Sequence, residues 1–97
     1  MLESKGDLAG AEPLYRRALA IAEKTLGPNH PHTATSLDNL AGLLESKGDD
    51  AGAEPLYRRA LAIAEKSLGP NDPATLAIRE NLEALLKKRA SSRSSSH

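Results

Sequence analysis

The sequence predicts an all-α protein of four main helices, arranged as repeated antiparallel helix pairs. Three observations carry that expectation. Shifted against itself by 42 positions, the chain matches at 31 of the 42 pairs from Leu2/Leu44 to Leu43/Leu85, and repeat periods of this order belong to solenoids whose units bury their apolar faces only against neighbours. Apolar residues recur at i, i+3, i+4 and i+7, the spacing of one helix face. Gly-Pro-Asn punctuates the chain at Gly27 and again at Gly69, where helices are expected to end.

The elements follow in order. Residues 2–5 correspond to the end of a helix whose body the chain does not contain, and a helix is expected over residues 8–26. The next spans residues 31–47, with Asn29 as its cap, Pro31 in its first turn, and Leu37, Leu40, Ala41 and Leu44 on its apolar face. Gly48 stops it. Asp49 caps a third helix over residues 50–68, with Ala53, Leu56, Tyr57, Ala60, Ile63 and Ala64 on one side and Arg58, Arg59, Glu65 and Lys66 opposite. Pro13 and Pro55 lie beyond the first turn and predict a bend, or a helix that firms up only after them. The last helix is expected over residues 73–89. Of the 11 mismatches, eight fall between His32/Ala74 and Gly42/Ala84, so this helix has been rewritten while the rest was copied. Arg79, Glu83 and Ile78 stand where Leu37, Ala41 and Ser36 stand one repeat earlier, a polar outer face suited to the end of a repeat stack. The domain then divides into a partial repeat (1–28), a full repeat (29–70) and a capping helix (71–90), followed by a Ser-rich tail (91–97) expected to be disordered.

Composition sets further bounds. The 97 residues include two aromatic side chains, Tyr15 and Tyr57, and no Cys, so burial rests on Leu, Ile and Ala and disulfides are excluded. Thirteen Lys+Arg balance 13 Asp+Glu, but the balance is uneven along the chain. Residues 1–86 carry a net charge of −4 and residues 87–97 a net charge of +4. An acidic body argues against nucleic acid as the main ligand, and the basic end reads as a solvated terminus. No apolar run approaches the roughly 20 residues that span a bilayer, and the N-terminus lacks a signal-peptide layout, so no membrane association and a cytoplasmic location are expected. No Cys nucleophile, Gly-rich phosphate loop or Ser-His-acid motif is present, which argues against an enzyme and against a bound cofactor. His30 and His32 flank Pro31, but without Cys or further ligands no metal site is expected. Tyr15 and Tyr57 are expected in the core by their apolar-face spacing, with their hydroxyls reaching the surface. Arg16, Arg17, Arg58 and Arg59 are expected on a solvated face paired to nearby Glu.

The stretch from Ser36 to Pro73, SLDNLAGLLESKGDDAGAEPLYRRALAIAEKSLGPNDP, resembles the tetratricopeptide repeat, and more narrowly its 42-residue kinesin-light-chain type. Leu37, Leu40 and Ala41 match the markers of the family's first helix, and Ala53, Tyr57 and Ala60 match the small, aromatic and small positions of its second. Asp50 departs from a bulky apolar position, and Gly10 and Gly52 replace a usual Glu, which should loosen the start of the second helix. The resemblance implies a right-handed superhelical solenoid that acts as a non-catalytic scaffold, holding a protein or peptide partner in a concave groove. Asn39 and Asn81 match the family's backbone-clamping Asn, since an amide donates and accepts at once. Thr35, Asp38, Gly42 and Glu45 share their face. Ala77 stands at the position of Thr35 in the last helix, so the two floors of the groove differ. An alternative is a self-assembly module, a homodimer formed through the exposed N-terminal helix.

Overall fold

Four helices follow one another in the computed structural model, which describes the backbone of residues 4–95 and the side chains of residues 10–91. They are α1 (Ser4–Thr25), α2 (Pro31–Ser46), α3 (Asp50–Ser67) and α4 (Pro73–Ser95), with no strand among the described residues. The breaks between them are local chemistry. Gly48 takes the left-handed conformation, φ +91°, which only glycine adopts without strain. Its N–H donates to the Glu45 carbonyl (2.9 Å) and that of Asp49 to the Leu44 carbonyl (2.8 Å), so the end of α2 is closed by a Schellman motif. Asp49 then caps α3, its Oδ1 accepting from the Gly52 N–H at 2.9 Å.

The cap of α2 differs from expectation. His30 rather than Asn29 holds the N-cap position, its Nδ1 accepting from the His32 N–H at 3.0 Å. Pro31 occupies the first helical position, so the capping residue is the one immediately before it. Asp72 does the same for α4, accepting from the Ala74 N–H at 2.9 Å. The exchange of His30 for Asp72 between repeats therefore trades one cap for another.

Both ends of the fold depart from the sequence reading. The expected break near Gly6 is absent, and α1 runs unbroken from Ser4. Leu2 and Glu3, the start of the expected stub, lie outside the described residues. At the other end α4 continues through Ser95, where a disordered tail was expected from residue 91. No Gly or Pro follows Pro73 to stop it, and Ser costs only tenths of a kcal/mol in a helix. Ser96 and His97 lie outside the described residues. Helix also forms ahead of Pro13 and Pro55, not only after them.

Consecutive helices are antiparallel. The Ser67 hydroxyl at the end of α3 donates to the Asn29 carbonyl ahead of α2 (2.9 Å). Near the other ends, Lys47 pairs with Glu12 and Arg89 with Glu54, the same inter-repeat ion pair made twice, 42 residues apart. The core sits between α2 and α3. Leu37, Leu40, Ala41 and Leu44 bury against Ala53, Tyr57, Ala60, Ile63 and Ala64, and α4 closes the far side with Ile78, Leu82 and Leu85. The rewritten outer face of α4 is polar, with Glu83 exposed and Arg79 bonded to Glu65 at 3.2 Å. A radius of gyration of 14.1 Å exceeds the roughly 12.5 Å of a globule this size, as stacking in one direction requires. Among the described residues no helix is long and apolar enough to cross a membrane.

Tyr15 corrects the core reading. It is 39% exposed against 3% for Tyr57, since among the described residues no helix lies over α1 as α2 lies over α3.

Candidate functional site

The first helices of the two units, α2 and α4, present one cleft in common. It holds about 390 Å³ and is lined by Tyr15, Asp38, Asn39, Gly42, Leu43, Ser46, Tyr57 and Asn81. Four of the six residues singled out from sequence thus meet at one place. Helical spacing explains it: Asp38, Asn39, Gly42 and Ser46 fall on one face of α2, and Asn81 comes alongside from α4.

The floor is already partly wired. The Asn81 amide donates to Asp38 Oδ1 at 3.1 Å. Burial pushes the Asp38 carboxyl above the usual range, opposed by that hydrogen bond. One N–H and the carbonyl of Asn81 are left by this bond, and Asn39 is exposed. Gly42 keeps the floor open: a Cβ there would sit 3.6 Å from the Tyr57 hydroxyl, so even alanine would stand between that hydroxyl and the cleft.

Thr35 and Glu45 are not part of the lining. Thr35 is exposed and turns its hydroxyl back to the Pro31 carbonyl at 3.3 Å. Glu45 is consumed by structure, accepting from the Tyr57 hydroxyl at 2.9 Å and from Lys88 at 2.8 Å. Burial raises the Glu45 carboxyl, but the bonds from Lys88 and Tyr57 outweigh it and hold the group below the usual carboxylate range. The Tyr57 phenol is pushed above its usual range by burial and by Glu45. Lys88 also meets Asp50 at 3.4 Å, which gives the charged residue at that departure from the family pattern a partner. The two tyrosines in the lining were not among the candidate site residues, although hydroxyls reaching the surface were expected of both. Three of the four arginines pair with Glu, Arg16 to Glu12 and Arg58 to Glu54, each at 2.8 Å, and Arg59 across to Glu23 of α1 at 2.6 Å, while Arg17 is exposed and departs from the expected pairing.

The tetratricopeptide repeat pattern matches residues 1–66 and again residues 39–93, which together take in α1, α2, α3 and all but the last two residues of α4. The chain belongs to the tetratricopeptide repeat family. A search among curated proteins returned no match. Tetratricopeptide repeats as a class mediate protein–protein interaction and are typically scaffolds rather than catalysts.

Proposed function

We propose that this tetratricopeptide chain is a non-catalytic scaffold that holds an extended peptide or protein segment along the face of α2 and α4. The observation that supports the reading most is the meeting of Asn39, Asn81 and Asp38 at a single open cleft. Amides grip a peptide backbone without reading its sequence, and Asp38 adds a local preference for a donor. The reading takes residues 1–90 as one repeat domain of the kinesin-light-chain type, a right-handed solenoid in the cytoplasm that needs neither metal nor cofactor and binds neither nucleic acid nor membrane. A panel of extended peptides titrated by calorimetry tests it. Asn39→Ala and Asn81→Ala should each weaken the bound peptide by about 0.5 to 1.5 kcal/mol with helicity unchanged, and equal binding by the double variant overturns the groove assignment.

A second reading, homodimerisation through α1, is favoured by the exposure of Leu14 (63%), Ile21 (54%) and Tyr15 (39%) on that helix. A Tm that rises with protein concentration across a hundredfold dilution supports it; a constant Tm and a monomer throughout exclude it.

A further inference from the structure

We propose that the segment held in the α2–α4 cleft carries a cationic side chain, arginine above all, and that its guanidinium seats on Asp38. The inference rests on the groove reading given above and names the partner chemistry which that reading leaves open.

Among the described residues lining the cleft, Asp38 alone is charged. Its situation differs from that of the other half-buried acids among the described residues. Glu12, Glu23, Glu45, Asp50 and Glu54 each hold a Lys or Arg, and Asp72 caps α4. Asp38 holds no cation, and its one hydrogen bond comes from a neutral amide, that of Asn81, to Oδ1. A half-buried carboxylate has lost part of its hydration, and an opposite charge close by offsets that loss. The lysines of α4 and of the α2 end do not supply one, since Lys88 is on Glu45 and Asp50 and Lys47 is on Glu12. A bound segment can.

The repeat points the same way. Of the eight exchanges between His32/Ala74 and Gly42/Ala84, Asp38/Glu80 is the one that keeps a side-chain charge. Glu80 precedes Asn81 as Asp38 precedes Asn39, and Glu80 is exposed and holds no cation among the described residues. An acid beside the backbone-gripping amide is thus present at both levels of the face, while the residues around it have changed. Arginine suits the surroundings better than lysine. The Asn81 carbonyl, the Asn39 amide and the Ser46 hydroxyl line the same cleft and can accept hydrogen bonds beside Asp38, and a guanidinium brings five donors and sheds water more readily than an ammonium. The net charge of −4 on residues 1–86 favours the approach of such a segment.

The test uses capped, extended Ala-Ser-Thr peptides whose central residue is Arg, citrulline, Lys or norleucine, titrated into the full chain while the side-chain amide signals of Asn39 and Asn81 are followed. Citrulline keeps most of the donors of arginine and none of its charge, so the comparison isolates the cation from a simple donor. The expected result is that every peptide shifts both amides, since the amides grip any backbone, and that the Arg peptide binds roughly tenfold tighter than the citrulline peptide, the scale of one hydrogen bond to an ionised group. Asp38→Asn should abolish that preference. Glu83→Gln, which removes the same unit of charge from the outer face of α4, should keep it. Equal binding of the Arg and citrulline peptides overturns the proposal and leaves the groove reading standing. So does a preference that persists in Asp38→Asn, or one that Glu83→Gln abolishes as well. Should Asp38→Asn fail to fold, the Arg and citrulline comparison on the unaltered chain still decides. If no peptide moves either amide, the groove reading falls and this proposal with it.

Discussion

Helices α1 and α3 contain the same sixteen residues in succession and live in different surroundings. In α3 the sequence Ala53 to Ala64 is walled by α2 on one side and closed by α4 on the other, while in α1 the same residues pack chiefly on α2. Ile63 is 4% exposed and Ile21 is 54% exposed. Burial in a repeat protein is thus a property of the neighbour, because each unit has no core of its own and its stability is the sum of its interfaces.

The sharpest way to break that comparison is to make identical substitutions in both copies. Tyr57→Ala should cost about 3 to 5 kcal/mol, the range for deleting a buried aromatic, and Ile63→Ala about 2 to 5 kcal/mol. Tyr15→Ala and Ile21→Ala should each cost under about 1 kcal/mol, closer to a surface substitution. Urea unfolding of the four variants decides it. Equal costs within each pair would mean that α1 is covered in solution, and the comparison would then report an assembly rather than a free end.

The next largest difference lies in the phenol. Tyr57→Phe removes a hydrogen bond to an ionised carboxylate and should cost about 1.5 to 3 kcal/mol, whereas Tyr15→Phe should be near neutral. Titration sharpens this. A phenol raised in the folded state contributes stability that is present below its ordinary value of 10.0 and is lost as pH climbs above it, so the chain should lose stability above about pH 10 and Tyr57→Phe should flatten that loss. On the acid side Glu12, Glu45 and Glu54 are all depressed, Glu12 first by Lys47 and Glu54 first by Arg58, while in Glu45 the bonds from Lys88 and Tyr57 override burial. Depressed carboxylates contribute stability present above their ordinary value of 4.5 and lost as pH falls through their folded values. Asp38, raised by burial, opposes this in part. Thermal melts between pH 6 and pH 3, in steps of about half a unit, should therefore show a falling Tm, less steep in Glu45→Gln.

How much of this was legible depends on whether a feature is local or relational. The repeat, the starts of α2, α3 and α4, the Asp49 cap and the buried faces of α2 and α3 are written in spacing and in turn chemistry. Asp38, Asn39 and Gly42 share one face of α2 by spacing, and Asn81, at Asn39's position one repeat on, joins them from α4. Three things were not legible. An exposed N-terminal helix was expected, but how far Tyr15 is uncovered, 39% against 3% for its copy Tyr57, depends on packing that periodicity does not state. Glu45 lies on the cleft face by spacing, but Lys88, 43 residues away, draws it into the structure. The Lys-Gly-Asp sequence that ends α2 at Gly48 stays helical at Lys5 within α1, a difference that identical residues do not carry.

That last contrast yields the smallest effect, and it reverses sign between copies. Gly10 lies inside α1 with nothing within 4 Å of an added Cβ, so Gly10→Ala should stabilise the chain by about 0.5 to 1 kcal/mol, the helix-propensity gain over glycine. Gly52 has the same sequence neighbours and a different role. A Cβ there would run into the Asp49 carboxylate, and the group that caps α3 would have to move. Loss of a cap costs about 0.5 to 2 kcal/mol, which cancels or exceeds the propensity gain, so Gly52→Ala should be neutral or destabilising. Paired denaturation curves measure both. If Gly52→Ala stabilised as much as Gly10→Ala, the Asp49 cap would contribute nothing, and the boundary between α2 and α3 would have to rest on Gly48 and the packing of the two helices alone.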